Sequence, residues 1–175
     1  MPKRIASKNP GFFMFLRYML LFLLVLTNIF SFVLPQATIK SSFYIISLFT
    51  HAALTNSTIT FQNHVIEIIP ACVALSAYYL LLILNLSTPM PIKKRAYSLI
   101  LSFALLFLVN ILRIVIFSFL FVSSTVLFTT LHFITWIFLS SIIVFLVWYA
   151  GIKVFDIREI PVYSDLNFLI RQIRA

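Results

Sequence analysis

Four long apolar runs, separated by short polar stretches, set the pattern of this chain. They cover about 12–34, 70–88, 97–121 and 126–150. Each is close to the roughly 20 residues that a helix needs to cross a bilayer core. The segment 41–55, SSFYIISLFTHAALT, is apolar but short for a span. It predicts an interfacial or re-entrant helix, with a fifth span as the alternative. The next stretch, STITFQNHVIEIIP, changes period: Thr58, Thr60 and Gln62 alternate with Ile59 and Phe61. A turn at Gln62-Asn63-His64 and a second run from Val65 to Ile69 complete a short β-hairpin leading to a helix that starts near Pro70. The tail after the last run is mixed polar and apolar and predicts a short amphipathic helix on the membrane surface. The expected fold is an all-α polytopic membrane protein. It is one domain over 1–175, a bundle of about four transmembrane helices with an external segment at 35–69 and a tail at 151–175.

Composition agrees with this pattern. Of 175 residues, 62% are hydrophobic and only 10% charged, with mean hydropathy +1.11, far less charge than soluble domains carry. A net charge of +9 in a soluble protein would point to nucleic acid. Here the basic residues follow topology instead, so no nucleic-acid partner is expected. Lys3, Arg4 and Lys8 precede the first run, Lys93, Lys94 and Arg95 fill the loop PMPIKKRA, and Lys153, Arg158, Arg171 and Arg174 follow the last. The positive-inside rule places all three regions, and hence both termini, in the cytoplasm of a multi-pass cell-membrane protein. The first run has the basic flank of a signal peptide but is too long for one and lacks a small-residue cleavage site, so it reads as a retained anchor. A single cysteine permits no internal disulfide. Asn56-Ser57-Thr58 is a glycosylation sequon on the predicted outer side, a weak signal by itself.

Candidate chemistry begins with Arg113, the only formally charged residue between Arg95 and Lys153. A guanidinium at bilayer depth costs roughly 3 kcal/mol even on lenient insertion scales, and such residues normally face a protein interior or a wet cavity. Helical rise supplies a depth ruler. Arg113 lies roughly 27 Å above Arg95, Cys72 roughly 24 Å above Thr88, and His132 roughly 32 Å above Lys153. All three fall near the outer boundary, on three different helices, where one outward-facing pocket could hold them. Each has a plainer reading. Cys72 could be a small hydrophobe, His132 an interfacial ring, and Arg113 a snorkelling cation. Pro70 places Cys72 in the first turn of its helix, where the dipole favours a thiolate. Asn110, one turn from Arg113, forms a polar stripe with it pointing into the bundle, and reads equally as helix-to-helix glue. Thiolate, cation and imidazole together suit acyl transfer.

Other chemistries lack their residues. Only Gly11 and Gly151 are present, so there is no phosphate-binding glycine loop. No metal-ligand spacing occurs, and neither a metal nor a cofactor is expected. The acids Glu67, Asp156, Glu159 and Asp165 all lie outside the predicted spans. That disfavours aspartyl and metal-dependent intramembrane proteases and proton-coupled transport. His51, His64 and Glu67 read as external surface residues, and the 20 Phe as lipid-facing and packing residues.

An external strand running into Pro70-Ala71-Cys72, then Asn110-Ile111-Leu112-Arg113 in the next span, then His132 at the top of the one after, resembles the exosortase/archaeosortase family. The resemblance covers about 57 to 140. The chain departs from it in Val73-Ala74, where many members have Ser, Thr or Gly after the cysteine, and in its shortness, which favours a compact, archaeosortase-like version. The resemblance implies a cysteine protease or transpeptidase acting on exported proteins that carry a C-terminal transmembrane sorting tail. Cys72 would be the nucleophile, Arg113 the stabiliser of the tetrahedral intermediate, His132 the acid or base and Asn110 a support. The acyl group would pass to water, a lipid or another acceptor. Two alternatives belong to other classes. One is a non-enzymatic membrane subunit using Arg113 and Asn110 to bind a partner helix. The other is a transporter or lipid-handling protein gripping a headgroup with Arg113.

Overall fold

The computed structural model describes residues 30–157, with isolated positions between 15 and 23 and at 170. About half of the first predicted span, and most of the expected amphipathic tail helix, lie outside the described residues.

Helix α1 (Phe30–Ser47) carries Pro35 inside it and runs straight through the polar stretch that marked the end of the first predicted span. Proline removes one ladder donor and crowds the preceding turn. The helix nevertheless continues because Thr38, Ser42 and Ile46, spaced by four, form one buried face together with Ile39. The segment 41–55 is therefore not a separate interfacial helix. Its first half completes α1, and Ala52–Thr55 forms strand β1. Small hydroxyl side chains that read as a surface break are in fact packed against the core, with Thr38 and Ser42 fully buried.

Strand β1 pairs antiparallel with β2 (Thr58–Phe61), which pairs antiparallel with β3 (His64–Glu67). The expected hairpin corresponds to β2 and β3, with β1 as an additional edge. Gln62 and Asn63 close the β2–β3 turn at φ 49° and 61°, the handedness that matches strand twist in a two-residue turn. Alternation gives the sheet one apolar face. Ile59 and Phe61 of β2 are buried in a cluster with Ile46 of α1 and with Ile111, Ile114 and Val115. The chain is thus mostly helical with a small three-stranded sheet, rather than all-α.

After β3, a single 3-10 turn (Pro70–Val73) leads into α2 (Leu75–Ser87). Helix α3 (Ile92–Ser123) has 32 residues. It begins five residues earlier than predicted, so Lys93, Lys94 and Arg95 belong to its first turns rather than to a loop. Basic residues oppose the helix dipole there. Two of them are held by acceptors instead: Lys94 Nζ donates to Phe155 O at 2.8 Å and Arg95 to Thr88 O at 3.1 Å. Helix α4 (Thr125–Ile134) continues through a π-helical turn (Thr135–Leu139) into α5 (Ser140–Val154), with helical dihedrals on both sides of the turn. The segments Pro70–Ser87 and Ile92–Ser123 are long and apolar enough to cross a membrane by length and composition.

A second core, around Tyr78, Leu81, Leu106, Val144 and Val147, joins α2, α3 and α5. Toward the basic end these helices meet through small and polar residues, the way helices approach closely without a hydrophobic driving force. Asn85 Nδ2 donates to Ser98 Oγ at 3.0 Å. A Cβ on Gly151 would lie 3.0 Å from Ser98 Oγ and 3.2 Å from Ser102 Oγ. Gly151→Val should therefore destabilise the bundle by about 1–3 kcal/mol, the range for overpacking. Thermal unfolding in detergent micelles measures it, and an unchanged midpoint would mean that the α3–α5 contact has slack.

Candidate active site

The site grows out of an interruption in the backbone ladder. Ile69 is extended, Pro70 opens the 3-10 turn, and Cys72 N–H donates to Ile69 O at 2.8 Å. Ala74 then adopts the left-handed conformation, φ 59° and ψ 38°, which costs an L-residue roughly 1–2 kcal/mol. The α2 ladder restarts beyond it, with Ala77 N–H donating to Ala74 O. Cys72 therefore precedes α2 rather than sitting in its first turn.

This interruption leaves the Cys72 carbonyl outside the α2 ladder in an apolar setting, where an unpaired carbonyl is costly. Helix α3 supplies the partners. Asn110 Nδ2 donates to Cys72 O at 3.0 Å, and Arg113 NH2 donates to the same oxygen at 3.2 Å. A separation of three residues puts both side chains on one face of α3, so the polar stripe converges on a single acceptor. Asn110 is buried and Arg113 half-buried.

The other arm of the guanidinium reaches the π turn. Arg113 NH1 donates to Ser140 Oγ at 3.4 Å, and the Ser140 hydroxyl donates to Thr135 O at 3.0 Å. A π turn closes its bonds over five residues and displaces the following side chain, which is why such turns recur at functional sites. His132 lies one turn before it. Its ring packs on Phe117 at 5.4 Å and on Phe128 at 5.1 Å, and Nδ1 is buried with no hydrogen-bond partner among the described residues.

Cys72, Arg113 and His132 all line one cavity of about 210 Å³ at the sheet end of the bundle. Helix rotation has thus turned all three toward a common space. Asn110 stands behind them, on the Cys72 carbonyl. The wall also contains Glu67, which is exposed, as expected of an external surface residue. Two further contributors escaped the sequence reading. Ser140 is one of several serines in an apolar run, and nothing in a linear pattern marks the π turn that aims it. Glu67 carried a usable signal, being the only acid before Asp156 and five residues ahead of the cysteine. His64 stands apart from the cavity wall and packs on Phe121 at 5.9 Å. Among the described residues no three His, Cys, Asp or Glu are grouped to hold a metal ion.

Comparison with protein-family models, with curated proteins and with solved structures finds no match to this chain.

Because Asn110 and Arg113 share one acceptor, their contributions should be coupled. Asn110→Ala should cost about 1 kcal/mol and Arg113→Ala about 1–3 kcal/mol, the range for hydrogen bonds to neutral and charged donors. The double variant should differ from the sum of the two by at least 0.5 kcal/mol, as for residues in one network. Chemical denaturation of the four proteins in micelles measures this cycle. Simple additivity would mean that the Cys72 carbonyl is not the common element.

Proposed function

We propose that this chain is a membrane cysteine peptidase or transpeptidase working through Cys72, Arg113 and His132. The observation that carries the reading is the convergence of one thiol, one guanidinium and one imidazole on a single cavity, with the guanidinium gripping the main chain of the cysteine itself. In this reading the fold is a four-span bundle with both termini cytoplasmic. The basic residues Lys93 to Arg95 and Lys153 lie at the end opposite the sheet, so the positive-inside rule turns the cavity outward. The order of Pro70-Ala71-Cys72, Asn110-x-x-Arg113 and His132 adds the resemblance to exosortases and archaeosortases. With it comes a substrate class: exported polypeptides with a C-terminal membrane-spanning tail.

The chemistry follows from the groups present. His132 takes the Cys72 proton, and the thiolate attacks the carbonyl carbon of the scissile amide, forming the C–S bond. Negative charge gathers on the carbonyl oxygen. A guanidinium has five N–H donors, so Arg113 keeps donors for that oxygen while holding Cys72 O and Ser140 Oγ. Collapse breaks the C–N bond, and the departing amine takes the proton from His132. Water or an acceptor amine then attacks the thioester, gives its proton to His132 and restores the thiolate. Asn110 acts as a positioning residue that keeps the Cys72 turn in place. A substrate helix lying beside the bundle would bring its outer end to the depth of the cavity.

The engagement of Arg113 by two protein oxygens favours this role over capture of a lipid headgroup. Lysine retains charge but lacks the planar fork that reaches both oxygens. Arg113→Lys should therefore lose at least about tenfold in tail processing, roughly the 1.4 kcal/mol or more expected when a charged hydrogen bond is lost. A headgroup-binding protein would keep most of its function with lysine.

The decisive experiment is mass spectrometry of C-terminal peptides of surface proteins in cells carrying native Cys72 or Cys72→Ala. A defined set of proteins should retain its C-terminal helix only in the variant. Unchanged peptides, with the variant present at normal levels, would sink the enzymatic reading and leave Arg113 as a partner or lipid contact.

A further inference from the structure

The register of the sheet determines what borders the cavity. In a two-residue hairpin the residues flanking the turn, Phe61 and His64, exchange their main-chain hydrogen bonds, and the exchange then recurs at every second pair. Ile59 and Ile66 therefore bond to each other. The partners Thr60↔Val65 and Thr58↔Glu67 are the non-bonded pairs. The bond from Ile68 N–H to Ser57 O at 2.9 Å continues the same alternation. Val65 and Glu67 consequently direct their N–H and C=O groups away from β2. The strand order is β1-β2-β3, so among the described residues no strand occupies that side.

The cavity is bordered by Val65, Ile66, Glu67 and Ile68 in unbroken succession. Successive strand side chains point to opposite faces. A space that touches four in a row runs along the strand's edge rather than lying on either face. The same space contains Cys72, four residues beyond Ile68. Among the described residues the exposed Glu67 side chain forms no ion pair and is the only carboxylate on the cavity wall.

We propose that an extended segment of a polypeptide substrate pairs as a fourth strand with the free edge of β3. It bonds to the main chains of Val65 and Glu67 and sets a lysine or arginine against the Glu67 carboxylate. This inference rests on the acyl-transfer reading above and adds how the peptide is held and which side chain it carries. Strand addition gives affinity through main-chain bonds and selectivity through alternate side chains. Here it would deliver a backbone carbonyl to the thiol in an orientation set by the sheet. Glu67 and Val65 become specificity-determining positions, with no part in the bond making itself.

The test uses the full chain in lipid nanodiscs and takes advantage of its single cysteine. The probes are acetylated tetrapeptide chloromethyl ketones, which alkylate a thiol with loss of chloride. Iodoacetamide serves as a probe of thiol reactivity alone, and intact mass gives the alkylation rate. Lysine and glutamate are placed in turn at each peptide position, and each amide in turn is N-methylated. At one position lysine should react about tenfold faster than glutamate, the scale of a favourable charge pair exchanged for a like-charge one. Glu67→Lys should reverse that preference. N-methylation should slow the reaction at alternate amides, the two-residue period of a paired strand. Val65→Pro removes an edge donor that β2 does not use, and should slow every peptide by about fivefold, the loss of one hydrogen bond, without changing the iodoacetamide rate.

Iodoacetamide labelling together with peptide rates that are indifferent to charge and N-methylation, or with no peptide labelling at all, would overturn strand pairing and leave the enzymatic reading standing. A Cys72 inert to every reagent, iodoacetamide included, would overturn both.

Discussion

The carbonyl oxygen of Cys72 is the point on which the rest of the site depends. Between the sheet and α2 the chain makes one 3-10 turn and passes through a left-handed alanine, so the helical ladder cannot take up that oxygen. Asn110 and Arg113 both donate to it from the neighbouring helix. Without them a polar group would be stranded in apolar surroundings, at a cost of about 1–3 kcal/mol. With them the cysteine turn is clamped to α3. The sheet, which runs directly into the turn, is held beside α3 by the same clamp.

A single guanidinium then extends the arrangement across the bundle. Arg113 meets Cys72 with one arm and Ser140 with the other, and the Ser140 hydroxyl donates in turn to Thr135 O inside the π turn. Two irregularities, a broken ladder before α2 and a widened turn between α4 and α5, are thus both tied to Arg113. The burial of that charge is offset by protein oxygens on two sides. The result brings His132, packed between Phe117 and Phe128, to the cavity that Cys72 borders. The β3 edge completes the wall, so Cys72, Arg113 and His132 share one space with main-chain groups of Val65 and Glu67 that β2 does not use.

Much of this was legible in linear form, for physical reasons that differ from residue to residue. Arg113 could be singled out because a charge in an apolar helix is expensive. Its shared depth with Cys72 and His132 could be estimated because helical rise is nearly constant. The β2–β3 hairpin showed as a change of period and a turn rich in Asn and Gln. The continuation of α1 through Pro35 and the fully buried Thr38 and Ser42 was not legible, since small hydroxyl residues serve equally at a surface and in a close-packed interface. Strand β1 was hidden by alanines, which favour helix in isolation and form a strand here because β2 offers an edge. Glu67 is an exposed acid in sequence and structure alike, and only the placement of the sheet edge puts it on the cavity wall.

By itself, then, the sequence determined the apolar helices, the basic end of the bundle, the hairpin and the small set of residues capable of covalent chemistry. Those properties reside in local composition and in spacing along the chain, and the physics that reads them is local as well. Only the tertiary structure decided that Asn110 and Arg113 share one acceptor, that Ser140 rather than another serine meets the guanidinium, and that Glu67 faces the thiol's cavity. Helix rotation, the π turn and the strand edge set these, and each depends on packing between segments dozens of residues apart, which no periodicity along the chain encodes.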